Sequence, residues 1–187
     1  MRLAPVFLLA AACGNSIGPR ELRYDLGTCG VVDILDEEFG EHVPQATILS
    51  FTTNPPASGP HFGIWAGWNR SYPSLERGFW LHNAEHGAIV LLYNCEDCDT
   101  EIAQLEDVVR NYPVDPLCGS PVRNRALVAR DAQLPTGVTF AAVAWGVTYT
   151  ATCVDPVALD QFKSDFYARA PENFCDDGAG LGGTFIE

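Results

Sequence analysis

Four histidines occur in the chain, and all of them fall between positions 42 and 86. His42 stands in GEHVP, His61 in PPASGPH, and His82 and His86 in HNAEHG. Neutral imidazoles are transition-metal ligands, and three or four with a carboxylate suit copper or zinc, less strongly ferrous iron. His82-Asn83-Ala84-Glu85-His86 has the H-x-x-E-H spacing. On a helix this spacing would place both imidazoles on one face with Glu85 beside them. Zinc peptidases with the inverted motif use that arrangement, which makes Glu85 a candidate general base in a metal-dependent hydrolase or oxidase. The surrounding residues favour a different conformation. The bulky run FWL precedes the motif, Gly87 and an apolar run follow it, and a long peptidase helix has no room there. If the segment is a turn feeding a strand, His61 or His42 must complete the site. The prolines around His61 hold its loop stiffly enough to present one side chain. The candidate metal set is therefore His61, His82 and His86, with His42 and Glu85 as a fourth ligand or as supporting groups. In the opposing reading the histidines are separate, each hydrogen-bonded to backbone in a tight loop. Asn83 and Glu85 would orient ring nitrogens in either case.

Several elements must position these residues. Ala46–Thr53 (ATILSFTT) has strand composition, and the NPPASGPH loop follows it. Ala88–Tyr93 is an apolar run suited to a buried strand. Ile102, Leu105, Val108 and Val109 lie at helical spacing between Thr100 and Tyr112, with Asp99 or Thr100 as cap and Pro113 as stop. Arg125–Arg130 and Val138–Thr148 read as two strands joined through LPTG. Asp155-Pro156 then opens a last helix with Val157, Leu159, Phe162, Phe166 and Tyr167 on its apolar face. The order predicts a single α+β domain with a mixed or antiparallel sheet and two main helices. Aromatic residues flank both histidine motifs: Phe62, Trp65, Trp68, Tyr72, Phe79 and Trp80. They would pack the core or roof a pocket, and the stretch 63–72 would alternatively form a small exposed recognition surface of a non-enzymatic interaction module. No nucleophilic-serine motif, phosphate loop or dinucleotide fingerprint is present. Ser58 beside His61 is no evidence of a catalytic pair.

The first thirteen residues, MRLAPVFLLAAAC, carry a positive charge at Arg2, a short apolar stretch and three alanines before Cys13. They read as a lipoprotein signal peptide (1–12) with Cys13 as the lipidated mature N-terminus. Residues 13–28 would be the anchor and its tether, and residues 29–187 the folded domain. A membrane partner follows through the acyl chains. Gly14 stands where inner-membrane retention needs aspartate, so the outer membrane is the expected location if the cell envelope has two. Six further cysteines, Cys29, Cys95, Cys98, Cys118, Cys153 and Cys175, predict up to three disulfides in an exported chain. Cys95-x-x-Cys98 also fits a redox pair or thiolate metal ligands. Glu96, Asp97 and Asp99 crowd it with negative charge that disfavours a thiolate, so a structural disulfide is expected. The 47% hydrophobic and 19% charged content is that of a globular protein, and the net charge of −13 excludes a nucleic-acid partner on electrostatic grounds.

These motifs resemble the bacterial domain-of-unknown-function family 3105. Its P-P-x-S-G-P-H segment corresponds to Pro55–His61 and its H-x-L-E-H-G segment to His82–Gly87, with Ala84 in place of the usual leucine. His42-Val43 and Ala144-Trp145-Gly146 match two shorter features. The resemblance implies a secreted or membrane-anchored protein, supplies no activity, and gives the cysteines no role.

Overall fold

The computed structural model describes residues 22–187; the leader, Cys13 and most of the tether lie outside them. The chain forms β1 (Arg23–Leu26), β2 (Gly30–Ile34), β3 (His42–Val43), β4 (His61–Phe62), β5 (Arg70–Tyr72), α1 (Arg77–Glu85) and β6 (Ile89–Tyr93). It continues with α2 (Asp99–Asn111), β7 (Ala126–Arg130), β8 (Phe140–Ala144), β9 (Val147–Ala151), α3 (Pro156–Phe166) and β10 (Thr184–Phe185). Eight strands make one sheet in the order β1-β2-β9-β8-β6-β7-β5-β10, while β3 and β4 pair separately. The sheet is mixed: β6, β7 and β5 run parallel, and the other pairings are antiparallel. The fold is α+β, as the element order predicts.

Strand β6 is the centre of the molecule. All five of its residues are buried, because the sheet is covered on both faces. Ile89, Leu91 and Tyr93 join one apolar cluster with Leu105, Val108 and Val109 of α2 and Leu159 and Phe162 of α3. Val90 and Leu92 join a second cluster with Phe79, Trp80, Leu81 and Ala84 of α1, Trp68 and Phe62. Full burial of one such aliphatic side chain contributes about 1.5–3 kcal/mol. Helix α3 starts as expected: Asp155 accepts hydrogen bonds from the N–H groups of Val157 and Ala158, with Pro156 in the first turn.

Four expectations need correction. Ala46–Thr53 is not a strand; it has no ladder partner, and Ile48 is 96% exposed. Val138–Thr148 is not one strand but contains most of a hairpin, Ala144 facing Val147 across a two-residue turn in which Gly146 has φ 72°. Part of the expected tether is folded, since Arg23–Leu26 pairs with β2 as a sheet edge. Finally, the HNAEH segment is not a turn: a short helix, α1, beside the two main ones carries it.

The cysteines form Cys29–Cys153, Cys95–Cys98 and Cys118–Cys175, with S–S distances of 2.06, 2.01 and 1.96 Å. Cys29–Cys153 ties β2 to the end of β9, and Cys118–Cys175 pins the segment after α3. No helix among the described residues is long and apolar enough to cross a membrane.

Candidate metal centre

Helix α1 has nine residues, too few to be stable alone. Its N-cap, Glu76, makes no side-chain capping bond. Tertiary packing holds it instead, and every residue from Gly78 to Glu85 is buried. His82 and Glu85 are therefore carried into the interior on a helix rather than presented by a turn. The chain leaves α1 at Gly87, where φ is 89° and an added Cβ would meet the Cα of Ala168 and the Arg125 guanidinium at 2.9 Å. That turn fixes His86 directly after the helix, and its N–H bonds back to the carbonyls of His82 and Asn83.

The other two histidines arrive on a pair of two-residue strands. His42 and His61 are direct partners in the parallel β3–β4 ladder, so their side chains leave on the same side. The PPASGPH loop is buried along most of its length and delivers His61 as expected. All four imidazoles then converge. Ring centroids are 4.9 Å apart for His42 and His61, 4.5 Å for His42 and His82, 4.7 Å for His61 and His82, and 4.5 Å for His82 and His86. The reading of four separate histidines in tight loops is excluded by this geometry.

Ligand atoms fall into two overlapping sets, each within 4.8 Å: His42, His61, His82 and Glu85, and His82, His86 and Glu172. In the first set the Nδ1–H of His61 donates to the Gly59 carbonyl at 2.9 Å and that of His82 to the Phe62 carbonyl at 2.6 Å. A carbonyl only accepts, so these bonds assign the tautomers and leave both Nε2 atoms as lone pairs in the neutral rings. The Glu85 Oε2 lies 2.9 Å from His61 Nε2 and 3.4 Å from His42 Nε2. The closer contact is not aligned as a hydrogen bond, and His61 Nε2, fully buried, has no hydrogen-bond partner among the described residues. A carboxylate facing a buried imidazole lone pair is unfavourable unless positive charge lies between them, and a metal ion supplies it. Donor atoms around a tetrahedral ion with bonds of about 2.0–2.1 Å stand about 3.3 Å apart, and the two contacts bracket that separation. Nitrogen and carboxylate donors of this number suit zinc or copper.

Burial pushes the Glu85 carboxyl up; positive charge at the His61 and His42 positions, whether a proton or an ion, outweighs it and holds the group below its ordinary value. Burial, then the neighbouring His61 ring, push His82 down to about 4 against the opposing bond to Phe62. Burial and then His82 push His86 down to about 3. Both rings are held neutral, the form that ligates.

Other side chains frame the site. Asn83 does not touch a ring nitrogen, contrary to expectation. Its amide spans Ala66, accepting from the backbone N–H at 3.0 Å and donating to the carbonyl at 2.8 Å, and so holds Trp65 against His82 and His86, with centroids 5.2 and 4.7 Å apart. Trp68, Tyr72, Phe79 and Trp80 are core residues. Of the stretch 63–72 only Gly63 and Ile64 are exposed, which removes the proposed recognition surface. Ser58 is engaged in accepting the Glu38 N–H. Gly40 lets the chain pass against Glu85: an added Cβ would lie 2.0 Å from Oε1. Sequence reasoning missed Gly40 and Glu172. Only the need of Cys175 for a partner pointed toward the segment that carries Glu172.

The fold and the site together define an α+β protein with a buried histidine–carboxylate cluster. The family model described as "Protein of unknown function (DUF3105)" matches residues 42–177, which contain every residue of the cluster, and the chain belongs to that family. No curated protein and no solved structure matches it.

Proposed function

We propose that this protein binds one transition-metal ion, copper or zinc, at His42, His61, His82 and Glu85, in the cell envelope. The observation that carries the reading is the buried His61 Nε2 lone pair facing the Glu85 carboxylate at 2.9 Å with no aligned proton between them. The same contact weighs against Glu85 as a general base. A base must be free to reach a water or a substrate, whereas this carboxylate is shared between two imidazoles. His42, whose side chain is 49% exposed, gives the ion access from solvent, as suits metal capture or delivery.

Envelope location is supported by the MRLAPVFLLAAAC leader and by three disulfides, which persist in oxidising compartments. A lipid anchor on Cys13 would place the metal site at a membrane surface, the outer membrane where there are two.

Elemental analysis of the full chain, purified and then reconstituted with zinc or copper, tests the metal reading. One ion per chain in the parent and none in a folded His61→Ala/His82→Ala variant is the expected result. A parent that takes up no ion after reconstitution overturns it. Mass spectrometry of the N-terminal peptide tests the anchor: a diacylglycerol mass on Cys13, absent in Cys13→Ser, is expected, and an unmodified thiol overturns it.

A further inference from the structure

The first set of ligands leaves His86 without a task, and this ring is unusual. It is fully buried, and neither of its nitrogens has a hydrogen-bond partner among the described residues. Leaving such groups unpaired in the interior is unfavourable. A Glu172 oxygen lies 3.0 Å from His86 Nε2, off the direction of a hydrogen bond, in the same kind of contact that Glu85 makes with His61. Phe174 and Trp65 enclose the ring at centroid distances of 3.8 and 4.7 Å. The backbone around it is fixed from two sides. Arg125 donates to the His86 carbonyl at 2.8 Å, and the Glu172 N–H donates to the Glu85 carbonyl at 3.1 Å.

His82 belongs to both sets, yet its Nδ1 is committed to the Phe62 carbonyl. It has a single lone pair to offer, at Nε2, and one lone pair does not serve two ions. The two sets are therefore alternatives. We propose that the protein provides two adjacent positions for one ion: an outer one at His42, His61, His82 and Glu85, and an inner one at His82, His86 and Glu172. This rests on the metal-binding reading above. Movement inward exchanges the bonds to His42, His61 and Glu85 for bonds to His86 and Glu172 while His82 stays attached. Each position supplies one carboxylate, so the ion keeps the same charge compensation in both. The outer position is the port, reached through the half-exposed His42; the inner one, where Glu172 is also half-exposed but His86 is walled by Trp65 and Phe174, retains the ion.

The test is release of Zn²⁺ from the loaded full chain to excess chelator, in the parent, His86→Ala, Glu172→Gln and His61→Ala. The expected result is one ion per parent chain at saturation, one ion still bound by His86→Ala and Glu172→Gln, and release at least tenfold faster from both. Two ions per parent chain, release from both inner variants at the parental rate, or complete loss of binding in a folded His86→Ala each overturns the two-position proposal. If His86→Ala does not fold, Glu172→Gln decides, because its side chain is 42% exposed and its loss leaves no cavity. A parent that binds no ion overturns this proposal together with the reading beneath it. A parent whose single ion is lost in His61→Ala but released unchanged from the inner variants overturns the inner position alone.

Discussion

The two faces of the sheet are built on opposite principles. Under α2 and α3 the interior is apolar, and each helix buries only three residues, Leu105, Val108 and Val109 on one and Ala158, Leu159 and Phe162 on the other. Under α1 nearly the whole helix is buried, and His82, Asn83, Glu85 and neighbouring His86 go in with it. Burial accounts for most of the first face, whose buried Arg125–Asp115 pair is satisfied together with the Tyr167 hydroxyl. The second contains lone pairs and carboxylates that burial alone disfavours, and a structure tolerates this where a ligand compensates. The apolar core thus lies mainly on one side of β6 and the candidate metal centre on the other.

Leu105→Ala should separate the two faces most sharply. A large-to-small change at this fully buried position is expected to lower unfolding free energy by about 2–5 kcal/mol in denaturant titration. Metal stoichiometry at native conditions should stay at one. Loss of the ion in this variant would mean that the faces are not independent.

Next in size is the Cys29→Ser/Cys153→Ser pair. The bridge spans 124 positions, and its removal is expected to cost about 2–4 kcal/mol, read by the same titration, again with the metal retained. Cys118→Ser/Cys175→Ser should instead speed metal release, because that bridge anchors the segment holding Glu172.

Acid should act on the α1 face first. His82 and His86 titrate at about 4 and about 3 in the fold against about 6.5 when unfolded. Below pH 6.5 the unfolded chain then binds more protons, so the metal-free protein loses stability as pH falls toward 4. The slope is up to about 1.4 kcal/mol per pH unit for each histidine. Urea midpoints of chelator-treated protein between pH 7.5 and 4.5 check this, and a flat profile would show the rings to be less buried than described. The smallest effect is expected of Gly40→Ala: Glu85 is pushed from its place, metal affinity falls about tenfold, equivalent to about 1.4 kcal/mol, and thermal stability changes little. Competition with a chromophoric chelator measures it.

What the sequence disclosed follows the same division. Helix α2 was legible because it is amphipathic, α3 because Asp155-Pro156 caps it, and β6 because a doubly covered strand is a continuous apolar run. Helix α1 was not, since a short helix buried on all sides mixes apolar and polar residues around its whole circumference and shows no stripe. Its bulky FWL run looks like a strand entry. The β8–β9 turn was hidden because Trp145 is no turn former, and only Gly146 supplies the positive φ. Ala46–Thr53 has strand residues but no neighbour to pair with. The four histidines and Glu85 were readable from clustering. Glu172 was not, because nothing local distinguishes a lone glutamate that reaches the site through a disulfide-pinned segment.

That segment also ties the site to a distant part of the chain. Every histidine is synthesised in the first half of the chain, whereas Glu172, Phe174 and Cys175 come near its end. A chain emerging N-terminus first presents His42, His61, His82, Glu85 and His86 before the residues that enclose His86 exist. The Cys118–Cys175 bridge anchors the segment that supplies Glu172 and Phe174 beside His86. The enclosure of His86 thus joins residues far apart in the chain, and one cysteine pair holds the two parts together.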